Sequence, residues 1–514
     1  MRPLHDLLIV GGGVNGAGIA RDAAGRGLSV VLCEQDDLAS HTSAASTKLV
    51  HGGLRYLEHF AFRMVRKALR ERETLLAAAP HIMRPMEFVV PHDSGQRPAW
   101  MIRLGLLIYD HLARRRRLPA SHAIDLRSHA AGRALQPRFH RGFVYSDGWV
   151  DDARLVVLNA VSAAESGARI LTRTACAALA VADGHWQATL RQQDGREEVL
   201  QARIVVNATG PWVDQFRKHV AAPRAAADLR LIKGSHIVVP ALFDHPYAYL
   251  LQAPDRRVVF AIPYEERYTL IGTTDVEHRD APGPVTASAS EIAYLCEVVS
   301  RSFARPITPA DVVWSFAGIR PLQKEESADP SGISRDYRLE LDRRRPPLLS
   351  VIGGKITTYR RLAEEAVDEI CALLGRQLPH WTAGAALPGG DLPDGDFERF
   401  AAEVIAAHAW ADPAMLRRMA RAYGSRVMHI LDGARNASAL GAQVLPGLYE
   451  RELEYLRDEE WARTAEDVLW RRSKLGLGLS TVAVARLRNW IEADRVSGAG
   501  ITGQENISAR PVTR

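Results

Sequence analysis

The beginning of the chain switches between two hydrophobic patterns. Leu7 to Val10 is an apolar run of strand length, a stretch of small residues at helical spacing follows, and Ser29 to Leu32 is a second short apolar run closed by Glu34. Strand, helix and strand in so short a span predict a parallel βαβ unit, because a parallel pair needs a crossover and a helix is the usual one. Phe62 to Ala79 places apolar residues at Met64, Val65, Ala68, Leu69, Leu75 and Leu76 and stops before Pro80, which predicts a packing helix. Trp100, Met101, Leu104, Leu107, Ile108 and Leu112 form another helical face, beside Arg103 and the run Arg114 to Arg117. That composition fits a helix lying in the interface of an anionic membrane, and also a core helix with a solvated basic end.

Phe143 to Tyr145 predicts a strand, and Asp151 or Asp152 a cap for the helix that stops at Gly167. Ile170 and Leu171 begin another strand, after which Asp183-Gly184 and Asp194-Gly195 punctuate a small β meander. The meander leads into an apolar strand ending in Asn207-Ala208-Thr209-Gly210-Pro211. From Leu229 to about Pro347 apolar, β-branched and aromatic residues follow an antiparallel-sheet pattern, interrupted by one helix over Ser290 to Phe303. Leu348 to Ile352 is a buried strand, Gly353-Gly354 a turn, and Thr357 or Thr358 begins a helix. Past Pro388 the pattern is helical to about Asp494, notably over Leu416 to Leu431 and Arg451 to Trp470, and the last twenty residues are polar.

Composition narrows this little. A chain of 514 residues with 47% hydrophobic content has room for two or three cores. No apolar run approaches the roughly 20 residues of a membrane-spanning helix. The pattern starts at Asp6 without a charged and apolar leader, so no secretory signal is expected and the protein is expected in the cytoplasm. Cys33, Cys176, Cys296 and Cys371 are scattered and form no C-x-x-C, which argues against a disulfide framework, a redox dithiol or a zinc site; no metal is expected. The net charge of +6 permits attraction to phosphate, lipid or nucleic acid and selects none of them. The arginine run lacks interleaved aromatics for base stacking, so nucleic acid is not an expected partner.

The chemistry lies at the glycine turns. Gly11, Gly13 and Gly16 form G-x-G-x-x-G between the first strand and its helix, where the turn is tight, the backbone can approach a pyrophosphate, and helix and strand pack closely. A helix N-terminus facing that turn favours phosphate. Glu34 is placed to accept hydrogen bonds from an adenosine ribose. The following loop is rich in small hydroxylated residues and then carries Lys48, His51, Gly52, Gly53, Arg55 and Tyr56; it emerges beside the cofactor in such a fold and is read as functional. The A-T-G strand end after a meander matches the layout of FAD proteins, and the Gly353-Gly354 turn with Lys355 at its mouth is a second anion site.

Taken in order, IVGGGVNGAGIARDAAGRGLSV, STKLVHGGLRYLE, GWVDDARLV, VNATGPW, LIKGSHIVVP, IGTTDVE, GIRPL, GGKITTYRRLAE and DVLWRRSKLGL resemble the bacterial aerobic, FAD-dependent glycerol-3-phosphate dehydrogenases over nearly the whole chain. The resemblance implies an α/β FAD-binding domain of glutathione-reductase-like, Rossmann type, with an antiparallel β substrate domain and a C-terminal helical domain. The expected division is FAD domain over 1–85, linking helices with possible membrane contact over 86–140, FAD domain with the meander over 141–228, substrate domain over 229–347, the last FAD segment over 348–388, a helical cap over 389–500 and a flexible tail over 501–514. The implied reaction is oxidation of sn-glycerol 3-phosphate to dihydroxyacetone phosphate by hydride transfer from C2 to flavin N5, with electrons passed to ubiquinone or menaquinone. The implied location is the inner face of the cell membrane, and a homodimer is expected.

Site residues follow from the motifs. FAD is expected on Gly11, Gly13, Asn15, Gly16, Glu34, Ser46, Lys48, His51, Gly52, Gly53, Ala208, Thr209, Gly210, Gly354, Lys355 and Thr357. The catalytic set is His51, Arg55, Arg320 and Lys355, with His51 as base because an imidazole accepts a proton near neutrality, or else as an orienter of the flavin. Substrate is expected on Arg55, Tyr56, His236, Thr273, Thr274, Arg320, Arg335 and Lys355, arginine being suited to phosphate. Rival readings are an FAD oxidase of the same superfamily, using O2 on glycerol 3-phosphate or an amino acid, and a flavin-containing nucleic-acid-binding protein. The basic set favours a phosphate over an amino acid's single carboxylate.

Overall fold

The computed structural model describes residues 3–93, 95–219, 229–255, 257–323, 336–344 and 346–496. Arg335 and the expected flexible tail at 501–514 lie outside them. The first sheet has the order Arg338–Asp342, Leu348–Ile352, Glu197–Asn207, Leu4–Val10, Val30–Cys33, Arg169–Leu171, and its five inner and far-edge members run parallel. Alternation in the first strand divides the core. Leu7 and Ile9 pack with the helices Val14–Gly25, Asp152–Glu165 and Tyr359–Leu373 on one face, while Leu8 and Val10 meet Leu179, Trp186 and Leu190 of the meander on the other. Because both faces are covered, the strand reads as an apolar run. The meander's third strand and the strand ending in A-T-G are one continuous strand, Glu197–Asn207.

The second sheet is larger and mostly antiparallel. Its order is Val276–Glu277, Leu229–Pro240, Tyr268–Gly272, Val258–Tyr264, Ala248–Gln252, Met83–His92, Arg141–Val150, Leu49–Val50, with Trp314–Gln323 pairing Leu229–Pro240 and His122–Asp125 pairing Arg141–Val150. Helix Ala289–Ser302 covers one face, and helices Phe62–Ala78 and Ala99–His111 pack on the other. Two expected boundaries change here. Residues 86–140 are not simply linking helices: most of Met83–His92 and all of His122–Asp125 are strands of the second sheet, which also takes Arg141–Val150. Local periodicity indicates a buried strand but not its sheet, since partner choice is a long-range contact. Arg338–Asp342, expected in the substrate domain, pairs antiparallel with Leu348–Ile352 at the edge of the first sheet, as strands joined by a five-residue connection tend to do.

The C-terminal region has its own core of Phe400, Leu416, Met419, Tyr423, Ile430, Leu453 and Leu456, built from short helices and a hairpin at Gln443–Leu445 and Leu448–Tyr449. Among the described residues no helix is long and apolar enough to cross a membrane.

Candidate active site

The first glycine turn lies where two parallel strands end side by side. A Cβ on Gly11, whose φ is +113°, would sit 2.5 Å from the Ala208 carbonyl oxygen, and one on Gly16 would sit 1.9 Å from the Gly11 carbonyl oxygen. Only glycine allows this approach of strand, strand and helix. Glu34, at the end of Val30–Cys33, takes the Gly12 N–H on Oε2 at 2.6 Å and the Asp36 N–H on Oε1 at 2.9 Å. Burial raises the Glu34 carboxyl, opposed by those two bonds. The second glycine turn is tied to the first helix, because the Asn15 amide donates to the Gly353 carbonyl at 3.3 Å while Asn15 Oδ1 is buried without a partner.

These groups wall a cavity of about 580 Å³ that reaches from Glu34 past Gly11, Gly13, Ala208 and Gly354 to Tyr56, Thr273, Arg320 and Lys355. Two glycine turns at helix N-termini, a carboxylate at the end of the second strand and an orphaned amide oxygen along one cavity fit a dinucleotide such as FAD. Ser46, His51, Thr209, Gly210 and Thr357 also line it. His51 is held by its backbone, which donates to Thr357 Oγ1 at 3.1 Å.

The second sheet supplies a cationic group. Arg320, on Trp314–Gln323, bonds Thr273 Oγ1 at 2.7 Å through Nη2 and pairs with Asp275 through Nη1. Both partners lie just beyond the end of Tyr268–Gly272, so one strand end fixes the guanidinium made by another. Lys355 Nζ stands 3.8 Å from the centre of the Tyr56 ring, a cation–π contact that keeps the ammonium on the cavity wall.

Several expected site residues lie elsewhere. Lys48 is 1% exposed and its Nζ is 2.7 Å from Asp152 Oδ1, so its ammonium neutralises a buried carboxylate and stays off the cavity wall. The same carboxylate accepts the Ser46 hydroxyl at 2.7 Å. Gly52 and Gly53 are off the wall, packed where a Cβ would meet Tyr109 and Leu69 or the Tyr56 ring. Gly16 is likewise a packing residue behind the turn. His236 is fully buried, stacks on Phe316 at 4.8 Å and bonds Thr47 Oγ1 at 3.0 Å. Burial, with Arg320 and Lys48 nearby, holds its imidazole well below the usual range and therefore neutral, so it supports the wall from behind. Thr274 is also buried, donating to Glu291 Oε1 at 2.8 Å. Arg55 lies on the short helix Leu54–His59 beside Tyr56, half-buried and off the cavity wall.

Asp275 and Glu291 were not singled out from the sequence. Ser288-x-x-Glu291 is a capping-box pattern and is seen as one at the start of Ala289–Ser302; it was the available signal for Glu291. Burial acts to raise the Glu291 carboxyl, but Lys233 and bonds from Ser288, Ser235 and Thr274 outweigh it and hold the group at about 2. A depressed carboxyl stabilises the fold fully above its unfolded value near 4.5 and loses that contribution as pH falls towards 2. Denaturant titrations across that window should therefore show a flatter acid decline for Glu291→Gln than for the parent; equal slopes would remove Glu291 from the acid response.

Comparison with known proteins was consistent along the chain. The family described as FAD dependent oxidoreductase matches residues 6–360, and the C-terminal domain of alpha-glycerophosphate oxidase matches residues 380–493. A glycerol-3-phosphate dehydrogenase of Pseudomonas aeruginosa is 51% identical over 493 residues, 96% of each chain. A D-erythritol 1-phosphate dehydrogenase of Brucella abortus is 46% identical over 95% of this chain and 97% of its own. Among solved structures, the glycerol-3-phosphate dehydrogenase of Bacillus halodurans complexed with FAD superposes with a TM-score of 0.75 at 28% identity, covering 97% of this chain and 91% of that one.

Proposed function

Since the chain belongs to the FAD-dependent oxidoreductase family that contains the glycerol-3-phosphate dehydrogenases, we propose that it oxidises sn-glycerol 3-phosphate to dihydroxyacetone phosphate and hands the electrons to a membrane quinone. FAD is its cofactor. The observation that carries the substrate reading is the meeting of Arg320, Lys355, Tyr56 and His51 on one cavity with the dinucleotide turns. A phosphate monoester needs cations, and an alcohol being oxidised needs a base.

When bound, FAD supplies the hydride acceptor for C2 of the alcohol. Arg320, preset by Asp275 and Thr273, and Lys355, held over Tyr56, bind and orient the substrate oxyanions. Arg55, one residue from Tyr56 but off the cavity wall, adds positive charge behind the proposed pocket without touching the substrate. An imidazole nitrogen of His51 takes the hydroxyl proton, its main chain anchored to Thr357 so that the ring stays on the wall.

Anaerobic addition of glycerol 3-phosphate should bleach the flavin absorbance, and quinone should restore it faster than air. Absence of bleaching would refute the substrate; rapid reoxidation by air would favour an oxidase. The four-carbon polyol phosphate, tested alongside, should bleach it more slowly, and the reverse order would reassign the substrate to the Brucella relative's class.

A membrane surface is the proposed partner for the helix Ala99–His111. Trp100 is 66%, Leu104 47% and Leu107 46% exposed, next to Phe60 at 79% and the Arg103 and Arg114 to Arg117 cations. Such a face suits anionic headgroups over a lipid boundary at the inner side of the cell membrane. Each half-exposed leucine that inserts contributes about 1 kcal/mol. Leu104→Glu with Leu107→Glu should weaken sedimentation with phosphatidylglycerol vesicles about tenfold or more, and unchanged sedimentation would make the helix a packing element. A homodimer is proposed as well, testable by sedimentation equilibrium.

A further inference from the structure

Among the described residues the C-terminal region offers no side chain to the cavity, yet its most buried charges converge beneath the cavity's Glu34 end. Residues Asp467–Arg472 form a turn of π-helix. Arg472, fully buried, bonds both oxygens of Asp37 at 2.6 and 2.8 Å, and Arg471 Nε reaches the same carboxylate at 2.6 Å. Asp467 pairs with Arg471 and with Arg173, and Arg173 also lies 4.0 Å from Asp37. Two consecutive arginines of one domain are thus spent on a single carboxylate of another. Arg472 Nη2 also donates to the Glu460 carbonyl at 2.5 Å, and Glu460 holds Arg154, at 2.8 Å for Nη2 to Oε1.

Asp37 is three residues past Glu34, in the loop that bounds the ribose site. The Asp36 N–H donates to Glu34 Oε1, the Arg173 N–H to the Asp36 carbonyl at 2.7 Å, and the Thr174 N–H to the Glu34 carbonyl at 2.7 Å. Beyond Asp37 the chain folds back, with Ser40 Oγ donating to the Asp37 carbonyl at 2.6 Å and the Ala39 N–H to the Gly12 carbonyl at 3.2 Å. Ala39, Ser40, His41, Thr42 and Ser43 then line the cavity. One buried carboxylate therefore joins the C-terminal arginines to the loop carrying both the ribose acceptor and the next stretch of wall.

We infer that the C-terminal domain is a retaining latch for FAD, in which Arg471 and Arg472, acting through Asp37, hold the Glu34 loop in the shape that grips the cofactor's adenosine half. Arg471, Arg472 and Asp37 are positioning residues; none of them lines the cavity. The inference depends on FAD as cofactor and is independent of which alcohol is oxidised. Because a buried charge pair is costly to break on one side, the loop is locked while the latch is intact and loosened when a partner loses its charge.

The test uses the full-length protein, stripped of flavin and titrated with FAD and separately with ADP, a probe of the adenosine half. Asp37→Asn keeps size and shape, and the partly exposed Arg471→Gln provides a second variant if the first does not fold. The latch predicts a dissociation constant raised about tenfold or more for FAD and by a similar factor for ADP. It further predicts an unchanged turnover number at saturating FAD and, for Arg471→Gln, which leaves the Arg472–Asp37 pair intact, an apoprotein melting temperature close to the parent's; Asp37→Asn breaks that buried pair and melts lower. FAD and ADP affinities within twofold of the parent in a folded variant overturn the inference. So does a loss of FAD affinity with ADP binding intact, or, in Arg471→Gln, one matched by an equal loss of apoprotein stability, which would mark the arginines as ordinary interdomain packing.

Discussion

Arg320→Ala is expected to lower kcat/KM for glycerol 3-phosphate by roughly thirty- to a thousandfold, carried mainly by KM, while the protein keeps its flavin. Truncating one partner of a buried, hydrogen-bonded charge pair costs about 2–4 kcal/mol, and each 1.4 kcal/mol is about tenfold. Arg320 is a partly buried partner of this kind, paired with Asp275 and bonded to Thr273 at 2.7 Å, which favours the lower part of that range. Its loss does two things at once: it removes a cation from the proposed phosphate pocket and leaves the Asp275 carboxylate facing a dianion. Asp275→Asn separates these effects. It frees the guanidinium from its counterion but also from its support, so a smaller rise in KM than Arg320→Ala is expected. Steady-state kinetics with the flavin-to-protein ratio measured on each preparation checks both. Loss of FAD from Arg320→Ala, with substrate affinity retained in the reconstituted enzyme, would move Arg320 from the substrate to the cofactor.

His51→Asn should slow flavin reduction by roughly a hundred- to ten-thousandfold, the usual share of a positioned base in a proton-transfer step. Asparagine keeps a polar side chain, and the backbone bond from residue 51 to Thr357 does not depend on the ring, so the wall should persist. Single-turnover mixing with glycerol 3-phosphate isolates that step from reoxidation. A full rate would end the base assignment and leave His51 an orienter of the flavin. If His51 is the base, the parent's reduction rate should fall on acidification, because a protonated imidazole cannot accept the hydroxyl proton, and the variant should lose that dependence.

The parts of the site that were legible in the sequence are those written in local geometry. Gly11, Gly16 and Glu34 could be read because a turn with no room for a Cβ and an acid at the next strand's end are constraints within one βαβ unit. The same holds for Gly353 and Gly354, both with positive φ, at the end of Leu348–Ile352. Reading failed where a side chain's direction depended on something distant. Lys48 stands in a loop that does line the cavity, but Asp152, 104 positions later, draws its ammonium inward. His236 sits in a strand beside the site, and stacking on Phe316 together with burial keeps it behind the wall.

By itself, then, the sequence determined the nucleotide half: its strands, its glycine turns, the acid that closes its second strand, and the cationic residues of the motifs. Periodicity and steric exclusion act over a few residues and survive in one dimension. The tertiary structure decided which sheet received Met83–His92 and Arg338–Asp342, that Asp275 grips Arg320, and that Arg472 reaches Asp37 across 435 positions of chain. Those outcomes turn on pairing buried charges and closing sheets between distant segments, where many partners satisfy the local pattern and only the packed whole selects one.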